Sequence, residues 1–336
     1  MSRAPSNRHA QRIAVVGSGV AGSTAARTLR REGFRVSVFD KGRGPGGRTC
    51  RRRVSDFEFD HGAPYFTVRD PSFARLVDEC RELGVVDEWR HRRVRISGDG
   101  ISPAGEEAIY VGVPGMSALV RCLLEGLAPR YESRIEQFAW ISRRWRVVNA
   151  EGERVGDFDG VVLAIPAPQA AALLEAEANE LATRARGVSM RPCWSLMLAF
   201  EKPLQVEFDS ARVEGGSSIQ WVGRNNSKPA RPSGEAWVIH GSHDWSEARL
   251  EIERDDAAVQ LLEASRELLA PGWTSPIFSA AHRWRYARVD EPVGESCLVD
   301  SERKLAVAGD WMLGPRVEAA FQSGLAAAER LIECWK

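Results

Sequence analysis

IAVVGSGVAGSTAARTLRREGFRVSVFD, Ile13 to Asp40, contains two apolar runs separated by a glycine turn and a stretch with helical spacing. Ile13-Ala14-Val15-Val16 is continuous and apolar, as expected for a parallel strand buried on both faces. Gly17, Gly19 and Gly22 follow in Gly-x-Gly-x-x-Gly spacing. Ala21, Ala25 and Leu29 then recur on one helical face, and Gly33 ends the helix. Arg35 to Phe39 alternates as a second strand, with Asp40 at its end. Strand, glycine turn, helix, strand and acid in this order form a dinucleotide-binding unit. Gly17 permits the tight turn, Gly19 lets backbone approach a pyrophosphate, and Gly22 lets helix and strand pack closely. Val20 and Ala21 open the helix, whose first N–H groups face the phosphates. Asp40 is placed to accept from a ribose.

The next residues extend the argument. FDKGRGPGGR, Phe39 to Arg48, has too much glycine and proline for the middle of a helix or strand. Gly44, Gly46 and Gly47 make a second place where backbone must come close to a ligand, and Arg48 can pair with a phosphate. Lys41 lies in the same stretch. NAD-dependent dehydrogenases as a rule lack such a segment, whereas flavoproteins often have it, because FAD is held along its length.

The totals read as those of a soluble cytoplasmic protein. The chain has 336 residues, enough for roughly two domains and a substantial core, and its formal net charge is zero. That balance argues against a nucleic-acid or membrane-surface partner. Arginine runs at 51–53 and 90–95 read as solvated faces. The six cysteines stand singly, without a Cys-x-x-Cys pair, as reduced cytoplasmic thiols do. The polar start is not a signal peptide, and no stretch is long enough to span a bilayer. No metal site is expected: His240 and His243 form a close pair, but no third ligand has suitable spacing.

These two glycine segments, with LAVAGDWMLGPRVEAAF (Leu305 to Phe321), resemble the FAD-binding parts of the flavin amine oxidase and phytoene desaturase superfamily. DHGAPYFTVRD (60–70), VGVPGMSALVRCL (111–123), VVLAIPAPQAAALL (161–174), GRNNSKP (223–229) and AHRWRYAR (281–288), in that order, resemble bacterial renalase-type proteins. One departure stands out: Pro64 occupies the place of a glutamine in the family's Asp-x-Gly-Ala-Gln-Tyr segment.

The resemblance implies an α/β fold, in which a Rossmann-like FAD-binding domain is interleaved with a substrate domain of mixed β-sheet plus helices, of the amine oxidase/p-hydroxybenzoate hydroxylase type. The FAD-binding domain would take residues 1–68, 108–170 and 300–336, and the substrate domain 69–107 and 171–299. Non-covalent FAD is implied, because neither Cys297 nor Cys334 precedes a tyrosine as the attachment cysteine of monoamine oxidases does. Its contacts would be Gly17, Gly19, Val20, Ala21, Gly22, Asp40, Lys41, Gly47, Arg48, Gly62, Ala63, Ile135, Gly309, Asp310, Val317 and Ala319. Asp310 would hold the ribityl chain. The N-terminus of a helix starting near Val317 would face the pyrimidine edge of the flavin, where negative charge develops on reduction.

Renalase-type enzymes oxidise the mis-reduced 2- and 6-dihydro isomers of NAD(P)H to NAD(P)+, and oxygen reoxidises the flavin to give hydrogen peroxide. Such a reaction needs no assigned protein base, and the resemblance implies none here. Substrate-pocket candidates are Tyr65, Trp194, Arg224, His240, Trp284, Tyr286 and Trp311, with Lys228 as a further cation for a substrate phosphate. Three rivals are a flavin amine oxidase, a non-catalytic flavin-binding sensor and a plain NAD-dependent dehydrogenase. The glycine-arginine segment and Gly309-Asp310 argue against the last.

Overall fold

The computed structural model describes residues 8–270 and 272–336. The chain packs as two units built from alternating segments. One comprises the chain up to Gly47, Val120–Met190 and Val289–Lys336; the other comprises Arg48–Leu119 and Arg191–Arg288. Packing therefore changes units at residues other than the 68, 108, 170 and 300 taken from the resemblance. Two long strands, Met190–Phe200 and Phe278–Val289, run up to the last two changes.

The first unit is organised by the opening sequence. Arg12–Val16 is the second-last strand of a five-stranded sheet ordered Leu298–Asp300, Leu305–Val307, Gly160–Leu163, Arg12–Val16, Arg35–Phe39. All neighbours are parallel except the first two. The apolar run is buried on both faces, and Ile13, Ala14 and Val15 have no exposed surface. The helix Val20–Arg31 ends where Gly33 turns left-handed at φ +91°. A second helix, Val317–Glu333, packs on it closely enough that a Cβ on Gly324 would collide with the backbone of Ala21. A separate antiparallel meander, Ile135–Ile141, Arg144–Asn149 and Arg154–Phe158, belongs to the same unit.

The other unit contains a seven-stranded sheet ordered Phe278–Val289, Met190–Phe200, Glu235–Gly241, Ile219–Arg224, Ser210–Val213, Arg93–Ser97, Gly100–Pro103. Side chains alternate across it. One face carries Trp194, Leu196, Leu198, Phe200, Val222, Trp237 and Ile239, packed with Ala257, Leu261 and Leu269 of the helix Arg254–Leu269. Each large side chain so buried contributes roughly 1.5–3 kcal/mol.

The Met116–Leu127 stretch carries only a short helix, Ala118–Leu123. The Ala118 N–H bonds back to the Gly115 carbonyl in a turn. At the far end, the Glu125 and Leu127 N–H groups reach only three residues back, to Cys122 and Leu124. Such tightening satisfies the last carbonyls and stops the helix. The described chain opens with a 3-10 turn, Arg8–Ala10. None of the six cysteines forms a disulfide. Among the described residues, no helix is long and apolar enough to cross a membrane.

Candidate functional site

In the first unit the glycine turn is built from the inside. Gly17 has φ +101°, and a Cβ on it would collide with the Ala164 carbonyl. A Cβ on Gly22 would strike the Gly17 carbonyl. Both glycines are thus demanded by packing. Gly19 is different: the nearest atom to a Cβ there would be the Gly46 carbonyl oxygen at 4.0 Å. Nothing among the described residues fills the space over this glycine, so the backbone here is open to close approach. Gly19 is the N-cap of the helix, and no side chain caps it. The N-terminal N–H groups and the positive end of the helix dipole are left for an anion.

Asp40 closes the same turn. Its Oδ2 accepts from the Ser18 N–H at 2.6 Å and the Ser18 hydroxyl at 2.7 Å, and its Oδ1 accepts from the Gly42 N–H at 2.7 Å. A carboxylate has about four acceptor positions, so these three bonds leave room for one more donor. The Gly46 N–H donates to the Ser18 carbonyl at 3.2 Å, and Gly47, at φ +53°, backs onto Gly19. The two glycine segments of the sequence are therefore one structure. Lys41 is in electrostatic reach of Asp40 and Arg134, and Ile135 is buried at the start of its strand.

The C-terminal elements lie in this unit too. Gly309 is extended, and a Cβ on it would collide with the Trp311 indole. Asp310 is buried, and its carbonyl accepts from the Leu313 and Gly314 N–H groups. The helix Val317–Glu333 begins without a side-chain cap, with Ala319 buried in its first turn. Glu318, which sequence reading passed over, is buried beside it. A dinucleotide carrying a flavin fits this donor set: two uncapped helix starts, a ribose acceptor and a glycine approach. Trp311 does not line a pocket in this unit. It is wholly buried in the core, and its Nε1 donates to the Ile165 carbonyl at 3.0 Å.

The remaining candidates belong to the other unit. The Arg48 guanidinium donates to the Ala287 carbonyl at 3.2 Å, and the Arg48 carbonyl accepts from the Ala63 N–H at 2.8 Å. Gly62 lies so tightly against Arg48 that a Cβ would collide with its carbonyl. Trp284 Nε1 donates to the His61 carbonyl at 2.8 Å. His61 and His282 rings lie 4.8 Å apart, and His282 and Trp284 4.4 Å. His240 lies 5.1 Å from the Trp221 ring, with the His61 backbone near enough to act on its charge. Strand alternation puts Ser195, Trp221, His240, His282, Trp284 and Tyr286 together on the face opposite the core. Tyr65 is half-buried, with its ring 6.5 Å from Trp89.

Two other candidates are corrected by the same alternation. Trp194 points to the core face, wholly buried, and its Nε1 donates to the Arg249 carbonyl at 2.9 Å. Ser195 takes the place expected for it. Arg224 is also on the core side: it donates to the Leu204 and Val206 carbonyls, pairs with Asp209 and Glu235, and lies 5.0 Å from the Trp237 ring. It is a structural cation. Lys228 is likewise committed, donating to Asp60 at 3.0 Å and to Asn225 Oδ1 at 3.1 Å.

Asp60 is the hub of that contact. It accepts from Lys228, from Arg231 at 2.6 Å and from the Met116 N–H at 2.9 Å, with its side chain and both cations 1% exposed. Burial pushes the carboxyl up, but Lys228 and Arg231 outweigh it and hold the group below the usual carboxylate range. Sequence reading missed His61 and His282, although both lie inside the quoted DHGAPYF and AHRWRYAR segments. It also missed the pairing of Asp60, because the partners are more than 160 residues apart.

Burial holds four imidazoles neutral. It lowers His61 and His91 to about 4, and His240 and His282 to about 3, from an ordinary 6.5. Between pH 6.5 and 4 the unfolded chain therefore binds protons that the folded chain refuses, so stability falls as pH falls. Each histidine adds a slope of up to about 1.4 kcal/mol per pH unit. The melting temperature is expected to drop steeply from pH 7 to 4.5. A flat profile in scanning calorimetry would place these imidazoles in water.

Comparisons with known proteins agree with this geometry. Residues 15–80 match the NAD(P)-binding Rossmann-like domain, and residues 103–332 match the flavin containing amine oxidoreductase family. The chain belongs to that family of FAD-dependent oxidoreductases. Among its relatives, a zeta-carotene-forming phytoene desaturase of Myxococcus xanthus is 52% identical over 52 residues, which are 16% of this chain and 10% of that protein. Protoporphyrinogen oxidase 2 of Arabidopsis thaliana is 26% identical over 151 residues, 43% of this chain and 27% of that protein. Among solved structures, cyclohexylamine oxidase from Brevibacterium oxydans IH-35A superposes with a TM-score of 0.74 at 12% identity, covering 96% of this chain and 99% of that one. The matched stretches span only 10% to 27% of these curated relatives' lengths. Among the described residues, no three His, Cys, Asp or Glu side chains gather as a metal ion would need.

Proposed function

We propose that the protein is an oxidase of the renalase type, acting on mis-reduced dihydropyridine nucleotides, the 2- and 6-dihydro forms of NAD(P), and returning NAD(P)+. One observation carries the choice of substrate class. The non-core face of the seven-stranded sheet is aromatic and imidazole-rich, and none of the strand residues that alternation puts there is Asp or Glu. Such a face suits a flat, uncharged ring held by stacking. FAD, when bound, takes a hydride and hands the electrons to oxygen, giving hydrogen peroxide. The protein's part is to orient the ring and exclude water. A dihydropyridine is electron-rich enough to give hydride without a protein base, and the neutral imidazoles match that requirement.

The second reading is an amine oxidase, favoured by the family and by the likeness to cyclohexylamine oxidase. A protonated amine would find no carboxylate on this face to hold its charge. The proposed FAD contacts remain those of the two glycine segments, Asp310 and the start of the C-terminal helix, with Arg48 as a phosphate partner.

The test is anaerobic mixing of the FAD-loaded protein with separate reductants. Borohydride-reduced NAD+, which contains the 2-, 4- and 6-dihydro isomers, should bleach the flavin rapidly. Pure 4-dihydro NADH and a panel of primary and secondary amines should not. Bleaching by an amine alone would move the protein to the second reading. A yellow protein that no reductant bleaches would keep the FAD-binding fold and act on a different substrate, with Pro64 marking the departure.

A further inference from the structure

Three side chains lie in one row across three strands on this face. Ser195 is directly opposite His240 on the neighbouring strand, and His240 is directly opposite Trp221 on the next. Trp221 lies flat over Gly223, where a Cβ would collide with the indole, and its ring is 5.1 Å from the imidazole at 38°. The row therefore presents a hydroxyl, an imidazole and an indole wall in order.

Two polar atoms of the row have no hydrogen-bond partner in the protein. Ser195 is wholly buried, and its Oγ is unpartnered; the Nε2 of His240 is shielded from solvent and unpartnered too. Buried polar groups are nearly always paired, so two neighbouring exceptions call for a ligand group that meets both. The tautomer decides which kind. The His61 backbone lies where it favours a proton on the His240 ring, although burial outweighs it and keeps the imidazole neutral. A neutral imidazole with its proton on Nδ1 offers Nε2 as an acceptor, and this is the tautomer the subsite uses. Serine supplies a donor. The complementary ligand group therefore has an N–H and a carbonyl side by side, next to a flat ring.

We propose that Ser195 and His240 form the subsite for the primary carboxamide of a pyridine substrate, with the ring laid along Trp221. The amide N–H donates to His240 Nε2, and the amide carbonyl accepts from Ser195 Oγ. This assignment rests on the dihydropyridine reading above. It also sets specificity: a nicotinate carboxylate has no N–H to give and would set its charge against the Nε2 lone pair. Because both atoms are shielded from solvent, side chains on this face must part slightly to admit the amide.

The experiment uses the full-length, FAD-loaded protein. Borohydride-reduced NAD+ is compared with the equally reduced 3-acetylpyridine analogue, which keeps the carbonyl and lacks the N–H. Nicotinamide and methyl nicotinate are titrated in parallel, read by perturbation of the flavin spectrum. The wild type is expected to favour the amide at least tenfold in both assays. His240→Phe should bring both ratios close to one, and His240→Gln, which keeps an acceptor, should restore part of the preference. Ser195→Ala should weaken amide and acetyl compounds alike, and it remains a test if His240→Phe does not fold. An unchanged amide preference in His240→Phe, or undiminished binding of both compounds by Ser195→Ala, overturns the subsite. If no reduced pyridine bleaches the wild type, the dihydropyridine reading fails by itself. The nicotinamide titration then judges the subsite: binding lost in His240→Phe upholds it, and equal binding overturns it.

Discussion

Asp60→Asn is expected to destabilise the protein by about 3–5 kcal/mol, the range for breaking a buried ion pair from one side. The carboxylate, Lys228 and Arg231 are all out of solvent, and Asp60 is the anion both cations share. Removing its charge leaves two buried cations without an anion, and asparagine's one remaining oxygen cannot serve both them and the Met116 N–H. Asparagine keeps the shape and loses the charge, so a cavity is not the cause. Urea melts should show a lower midpoint with an unchanged m-value. A double variant, Asp60→Asn with Lys228→Met, should recover part of the loss, because it removes one stranded cation. If the single substitution shifts the midpoint by less than an exposed charge change would, the triad is solvated and the assignment is wrong.

The second large effect separates two glycines that the sequence pattern treats alike. Gly22→Ala puts a methyl group against the Gly17 carbonyl, where only backbone could move. The helix would have to lift from the strand, at a cost of about 3 kcal/mol or more. The protein is expected to be expressed poorly and without colour. Gly19→Ala has room for its methyl, so the apo-protein should melt at nearly the wild-type temperature. That methyl stands where a pyrophosphate would approach, so the cofactor should bind far more weakly. At saturating FAD the wild type gains about 2.7 kcal/mol when the ligand is at 100 times its Kd, and Gly19→Ala should lose most of that gain. Apo- and holo-protein melts, run side by side, give both numbers. Equal FAD stabilisation in Gly19→Ala and wild type would remove the dinucleotide from this turn.

The contrast shows what was legible in the chain. Strand, turn, helix and acid between Ile13 and Asp40 are set by neighbours within thirty residues, so spacing alone recovers them. Gly44 to Gly47 could be recognised as a close-approach loop for the same reason. The choice of Ser195 over Trp194 could not. Both lie in one apolar run, and which one faces the core depends on register with Glu235–Gly241, about forty residues away. A one-residue slip would exchange them. His61, His240 and His282 come from three distant segments, and only the folded sheet makes them neighbours. Arg224 and Trp311 illustrate the other limit: a cation or an indole reads the same in sequence whether it meets a ligand or the protein's own carbonyls.

The pairing of the first helix with the last has a consequence for synthesis. Val20–Arg31 finds its closest helical neighbour in Val317–Glu333, about 290 residues later. At roughly 5–20 residues per second, a ribosome needs on the order of 15–60 s to cover that distance. For that interval the nascent nucleotide-binding turn exists without the helix that covers Ala21 and with an unclosed apolar face. The segments of the other unit, 48–119 and 191–288, have all been made before that helix emerges, so the unit that starts first is completed last.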